Sequence, residues 1–466
     1  MKIRAIILFF SLFGSTVGLA SYSLSRVQSP SESTIADLEV ESGASKNESL
    51  VIWWQQAYVS GGSNAIARLV REWEKSSGIQ TTLQLTPESS DDQLENAIAR
   101  DNSPDIAFMH ENSRITARLA WEGKLADVSD IIQPIRDSFK PSVLERATYL
   151  NKTINRRSFY GIPIGEMKTF NIHYWKPYLD RLGLKASDIP QDWQGFWSFW
   201  QDARDRLHQL GETNIASFCI TLNKESNDGP EAVLQFLHGH NANIFDNEGK
   251  LVLDRPENRQ GLIDALSQLS DLYRGGYIPP RAMEWTNADN NYHFLDRQCL
   301  LVTNPTLSIP TTQNQPDTPY TQTARNRYLN EIVTVSHWPN TVNGNPFKIF
   351  VGQSYIIIPA NSKQLATAKQ FLAYVGKPEN LQLLNEQEMG QLLPHFPDRR
   401  DPHLEAVQII SASKNIQPYP SILNPAYAEI SKERIFTTAL EQILREGVSP
   451  EEAADGAIAR IQEIID

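Results

Sequence analysis

An α/β fold built on mostly parallel sheets is what this sequence predicts, and three observations predict it. β-prone runs and amphipathic helical segments alternate from the first apolar stretch at Leu50 onward. Those helical segments carry capping residues at their starts and glycines at their stops. The 466 residues are 40% hydrophobic and 21% charged, an ordinary globular balance with room for two or three domains.

The elements follow in order. Leu50 to Trp54, inside "SLVIWWQQA", reads as a first strand. A helix comes next: Ser63 or Asn64 can cap it, Ala65, Leu69 and Trp73 share one face, and Gly78 ends it. "QTTLQLT" is a second strand, and "SDDQLENAIAR" a second helix with Asp91 and Asp92 in its first turn. "SPDIAFMH" is a third strand, followed by the helix "SRITARLAWEGKL" with Gly123 beyond its end. Strand, helix, strand, helix, strand implies βαβ units and parallel pairing. Residues 160–184, "YGIPIGEMKTFNIHYWKPYLDRLGL", run as strand through an almost uncharged stretch that nevertheless carries Glu166 and Lys168. Helical texture then takes over in "DWQGFWSFWQDARDRLHQLG", with Phe196, Phe199 and Trp200 on one side and Gly211 at its end. "IASFCITL", "CLLVTNP" and "SYIIIPA" read as strands. "PEAVLQFLHGHNA", "ENRQGLIDALSQLSDLYRGG", the segment before Arg297 and a capped "KQLATAKQFLAYVG" read as helices. "SPEEAADGAIARIQEIID" closes the chain as a helix opened by Ser449 and Glu452 as a capping box. Between Thr303 and Pro346 the chain is polar, proline-rich and poor in helix signals, and reads as a long insertion.

The ends and the charge narrow the function. Lys2 and Arg4 precede the apolar run Ala5–Ala20, with Gly18 and Ala20 as small residues before Ser21. Residues 1–20 read as a cleaved export signal, or as an uncleaved anchor just short of bilayer length. Residues 21–48 are rich in Ser and Glu and read as a linker. A formal net charge of −12 argues against nucleic acid as a partner. The two cysteines, Cys219 and Cys299, sit in buried-strand contexts. They are too few for a zinc framework, and the reading preferred is two buried thiols over one disulfide. The nine histidines are scattered, "HGH" at 238–240 lacks a third ligand, and neither "GG" belongs to a phosphate-binding loop. No metal, cofactor or catalytic group is expected.

The order of five pieces resembles a known family. They are "GGSNAIARLVREWEKSSGIQ" after an aromatic; "SPDIAFMH" with "LAWEGKLADVSDII"; "YGIPIGEMKTFNIHYWKPYLDRLGL" with "IPQDWQGFWSFWQDA"; "LLVTNP"; and "GQSYIIIPANSKQLATAKQFLAYVGKPEN". Together they resemble the extracellular solute-binding proteins of ABC importers, in the sugar-binding group that includes maltose-binding protein, over the chain from Leu50 onward. Departures occur at Asn304-Pro305, which lacks the group's aromatic, at Gln353, where a second glycine is common, and in the longer stretch Leu307–Tyr328.

The resemblance implies two α/β lobes that close like a hinge on a ligand. It places lobe 1 at 49–161 plus 299–360 and lobe 2 at 162–298 plus 361–466. It implies a monomer that captures a mono- or oligosaccharide outside the cytoplasm, in the periplasm for an envelope with two membranes, and delivers it to membrane permease subunits. Sugars need aromatic faces and fixed hydrogen-bonding groups. Candidates of those types are Trp53, Trp54 and Tyr58 after the first strand, His110 and Glu111 at the end of the third, Glu166 in the crossing segment and Trp285 in a loop dense with Trp, Asn, Asp and Tyr, while Asn304, Gln353 and Tyr427 lie at turns matching cleft-lining positions of the group. Adjacent strand residues face opposite ways, so one of Trp53 and Trp54 should be core and the other ligand-facing. Two other readings use the same residues. A ligand sensor would bind without transport, and a hydrolase would need two carboxylates such as Glu111 and Glu166.

Overall fold

The computed structural model describes residues 49–466 apart from 57–60, 87–90, 110–112, 140–142, 145–146, 169, 305–318, 336, 385–402 and 404–415. The strands, in chain order, are β1 (Leu50–Gln55), β2 (Thr81–Thr86), β3 (Ile106–Met109), β4 (Thr148–Asn151), β5 (Arg156–Phe159), β6 (Ile162–Lys168), β7 (Asn171–Trp175), β8 (Ala216–Cys219), β9 (Cys299–Asn304), β10 (Ile332–Val335), β11 (Ile349–Ile357) and β12 (Ile416–Pro418). Six of them form one sheet and four another, while β4 and β5 make a small hairpin.

In the first sheet β1 lies between parallel neighbours β2 and β3, as the predicted βαβ units require. β11 runs antiparallel to β3, with Tyr355 opposite Met109, and also pairs with β6 and, at its start, with β12. Both faces are buried. One carries Ile52, Trp54 and Phe108 against the helices Gly61–Ser77 and Leu365–Val375. The other carries Ala107, Tyr355 and Ile357 against Asp91–Ala99 and Ser113–Trp121. Gly78 and Gly123 adopt φ of +75° and +73°, left-handed helix stops where a side chain would be strained.

The second sheet has the order β10-β7-β9-β8, with β8 parallel to β9 and the other pairs antiparallel. Its core is rich in tryptophan: Trp193, Trp197 and Trp200 of helix Trp193–Gln209 are each at most 1% exposed. The C-terminal helix Pro450–Ile465 completes this core, and Ser449 Oγ accepts from the Glu452 N–H at its start.

Four expectations need correction. Cys299–Asn304 is not a strand of the first sheet; it is inserted between β7 and β8 in the second. All six of its residues are buried, a pattern that marks a central strand without saying of which sheet. Leu365–Val375 packs on the first sheet rather than the second, and starts without a side-chain cap. The polar stretch 303–346 contains a helix, Pro319–Glu331, and strand β10. Finally, Cys219 and Cys299 form a disulfide joining β8 to β9, with Cα atoms 5.6 Å apart. Two fully buried sulfurs look alike in sequence whether bonded or not, so burial could not separate the readings.

Among the described elements the chain passes between the two sheets from β6 to β7, from β10 to β11, and from β12 into the helices that begin at Pro420. The first two passages are bonded together, since the Trp338 indole N–H donates to the Phe170 carbonyl at 2.8 Å.

Candidate functional site

Strand direction determines what gathers at these crossings. β6 ends at Lys168, which lies opposite Gly352, and β7 starts at Asn171, which lies opposite Asn304. Because β11 is antiparallel to β3, the C-terminal ends of β1, β2 and β3 point to the same edge as the crossing. Because β9 is antiparallel to β7 and parallel to β8, the C-terminal ends of β8 and β9 also reach it. The carboxyl ends of the parallel strands of both sheets therefore meet the crossing segments. That is where open α/β sheets bind ligands.

The second sheet brings a line of amides there. Asn304 donates to Asn290 Oδ1 at 3.4 Å, and the Asn291 backbone N–H donates to the same oxygen at 2.8 Å. Asn290 Nδ2 in turn donates to Asp228 Oδ2 at 2.9 Å. Asn171, Asn290, Asn291 and Asn304 are all buried. Loop bonds hold the surroundings rigid: Asn223 Nδ2 donates to the Trp285 carbonyl, and the Asn227 N–H to Asn287 Oδ1. Three buried polar atoms of this region, Thr221 Oγ1, Trp285 Nε1 and Asn291 Oδ1, have no partner among the described residues. On the first sheet, Gln55 and Thr86 are buried opposite one another at the ends of β1 and β2. Among the described residues the combined chemistry is uncharged donors and acceptors with the Asp228 carboxylate, suited to a hydroxyl-rich solute.

The ten expected contact residues divide into three groups. Glu166, Gln353 and Asn304 converge by backbone position. Glu166 lies on β6 between Ile164 and Lys168, Gln353 lies at the register shift of β11 facing that stretch, and Asn304 pairs with Asn171. The side chains of Glu166 and Gln353 lie outside the described residues, as do Tyr58, His110 and Glu111. Trp54 and Tyr427 are core residues. Trp54 stacks on Phe108 with centroids 4.0 Å apart, and Tyr427 meets Phe245 and Tyr419. Trp53, on the opposite face of β1, is half-buried against the second face of that sheet. Trp285 is 3% exposed and stacked on His293 at 4.6 Å, so its ring is committed within the protein, while its Nε1 has no partner among the described residues.

Sequence reasoning missed Asn171, Asp228, Asn290, Asn291 and Thr221. The dense run "TNADNNYHF" was the available signal for Asn290 and Asn291, but Asp228, the partner of Asn290, lies 62 positions away. The "HGH" histidines are structural. The Lys348 N–H donates to His238 Nε2, and burial followed by the Lys348 charge pushes the His238 pKa down to about 4. His240 bonds to Gln268, and burial lowers its pKa too. Among the described residues no group of three or more metal-ligating side chains occurs. No helix there is long and apolar enough to cross a membrane.

Comparison with known proteins bears on this arrangement. The sequence pattern of one family, described as bacterial extracellular solute-binding protein, matches residues 68–408. No curated protein matches. Among solved structures, an ABC transporter solute-binding protein from Thermotoga lettingae TMO bound with alpha-D-tagatose superposes with a TM-score of 0.67 at 18% identity. The match covers 90% of this chain and 100% of that one. Maltose-bound MalE3 of T. maritima gives 0.68 at 16% identity, covering 89% and 99%. A sugar transporter from Arthrobacter chlorophenolicus A6 with bound laminaribiose gives 0.68 at 14% identity, covering 90% and 100%. At such identities the likeness establishes the fold, the two-lobed α/β architecture of periplasmic binding proteins.

Proposed function

Because the chain belongs to the bacterial extracellular solute-binding proteins, we propose that it captures a carbohydrate between its two lobes and delivers it to the membrane subunits of an ABC importer. The observation that carries this reading is the meeting of the carboxyl strand ends of both sheets at the crossing, with the amide line Asp228–Asn290–Asn304 beside it. Binding draws the lobes together, and closure supplies both affinity and the state that the importer recognises. Neutral amides with few carboxylates favour sugar hydroxyls over an amino acid's paired charges. Carbohydrates bound to the structural neighbours support the same class. The buried disulfide fits a chain that works outside the reducing cytoplasm, as does membership of an extracellular family. Binding without turnover is the function; Glu166 serves as a ligand contact at the crossing.

The test is a thermal-shift screen over tagatose, maltose, laminaribiose, ribitol and longer oligosaccharides, with amino acids and peptides in parallel. At least one carbohydrate should raise the melting temperature, and tryptophan fluorescence should change with the same half-saturation. A response to amino acids or peptides and to no carbohydrate would refute the ligand class.

A further inference from the structure

A second polar network lies buried at the crossing, and its hydrogen atoms do not balance if every group is neutral. His173 on β7 and His403 are 2% and 3% exposed, and Thr334 on β10 sits between them. His173 Nε2 lies 3.1 Å from the Asn304 carbonyl, and its Nδ1 lies 2.7 Å from Thr334 Oγ1. On the other side, Thr334 Oγ1 is 2.7 Å from His403 Nδ1, whose Nε2 is 2.8 Å from the Tyr328 carbonyl.

The carbonyls at the two ends can only accept, so both Nε2 atoms must carry hydrogen. A neutral imidazole carries one N–H, which leaves both Nδ1 atoms as acceptors. They face one hydroxyl, which has one hydrogen for two acceptors. One proton more removes the conflict. If one imidazole is an imidazolium, its Nδ1–H donates to Thr334 Oγ1, the Thr334 hydroxyl donates to the other Nδ1, and all four contacts have a donor.

We propose that His173, Thr334 and His403 form a clasp that holds this extra proton at neutral pH, with His403 as the imidazolium, and that the clasp positions Asn304 for the ligand. The last part rests on the function proposed above; the proton count does not. Two features place the charge on His403. The Tyr328 ring lies against it with centroids 4.2 Å apart, π density that favours a cation. His173, in contrast, is pushed down to about 3, by burial first and then by the charge of His403, so His173 is the neutral member of the pair.

Among the described residues, the charged groups on the packed elements include Arg327, next to Tyr328 on the same helix, whose charge acts on Tyr178. Glu331 pairs with Arg297, Arg297 lies over Trp175, Asp289 accepts from Thr286, and His293 bonds to Gln298. The clasp ties β7, next to the first crossing, and β10, next to the second, to His403, which precedes the third. The sign follows from linkage. A histidine whose folded pKa is raised above about 6.5 contributes fully below that value and loses its contribution as pH rises through the folded pKa.

Imidazole nitrogen NMR on the full chain, with ¹⁵N-labelled histidine and no ligand, tests the proposal. His173→Gln and His403→Gln assign the signals. At pH 7 His403 should show two protonated nitrogens and His173 the Nε2–H tautomer, with a His403 deprotonation midpoint above 7. Thr334→Val should lower that midpoint by at least one pH unit, and Thr334→Ser should restore it. Above the midpoint, peptides covering Cys299–Asn304 should exchange backbone hydrogens at least threefold faster than the intrinsic pH dependence predicts. Two neutral histidines at pH 7 would overturn the proposal, and this reading of the wild type decides even if Thr334→Val does not fold. A midpoint unmoved by Thr334→Val, or no excess exchange, would also overturn it. None of these readouts requires a sugar, so a failed carbohydrate screen and a failed clasp remain distinguishable.

Discussion

Reducing the Cys219–Cys299 bond should destabilise the second lobe and leave the first nearly untouched. The bond closes a loop of 80 residues that includes the helices Asp228–Gly239, Pro256–Arg274 and Asp289–Leu295. Loop-closure entropy for that separation amounts to about 4.5 kcal/mol at 25 °C, most of it exerted on the unfolded chain. Both sulfurs are fully buried, so a reductant reaches them only through unfolding. The comparison is therefore between urea transitions begun from unfolded chain, with and without dithiothreitol. Fluorescence reports the second lobe through Trp193, Trp197 and Trp200 and the first through Trp54 and Trp73, so the transition that shifts is assigned after Trp54→Phe and Trp73→Phe silence the first. The reduced protein should lose about 4 kcal/mol in that transition, and Cys219→Ala with Cys299→Ala should behave like reduced wild type. Titration of two free thiols in unreduced, denatured protein would refute the reasoning at once. So would reduced and oxidised transitions that agree within about 1 kcal/mol.

Asn290→Leu should weaken the carbohydrate found by thermal shift at least tenfold by calorimetry, because Asp228 and Asn304 both lose their shared partner. Trp338→Phe keeps the stacking on Phe347 but deletes the bond to the Phe170 carbonyl, and should cost about 1–2 kcal/mol in urea unfolding. Gly239→Ala should cost about 1–3 kcal/mol by the same assay, since the added methyl would overlap the Trp193 ring. His238 has a folded pKa of about 4, below its unfolded value, so the unfolded chain protonates first as pH falls. About 3 kcal/mol of stability should therefore disappear between pH 6.5 and 4, and His238→Gln should flatten that part of the profile.

Much of the fold was legible because its signals are local. The strands Leu50–Gln55, Thr81–Thr86 and Ile106–Met109 show as β-prone runs between helices that end on Gly78 and near Gly123, and these follow from residues a few positions apart. Sheet membership was not legible. The six buried residues of Cys299–Asn304 would suit a central strand in either lobe, and only their pairing with β7 and β8 decides. The helix Pro319–Glu331 escaped notice because its sequence is mostly polar and the buried Tyr328 alone gives no periodic stripe. At the site, Asn304 was accessible from its turn position, whereas the amides it meets become neighbours only through tertiary contact. The histidine clasp was hidden for the same reason, with members at 173, 334 and 403.

The interleaving of the two lobes also dictates an order of events when the chain is made. The first sheet acquires β1, β2 and β3 early, yet β11, which covers the far edge of β3, and the helix Leu365–Val375, which seals one face, arrive only after most of the second lobe has emerged. The N-terminal third must therefore wait, with an exposed strand edge and an uncovered apolar face, for a late segment to dock. Interruption of synthesis before Ile349 would leave a fragment that cannot finish either lobe, because the second lobe still awaits its own closing helices from Tyr427 onward.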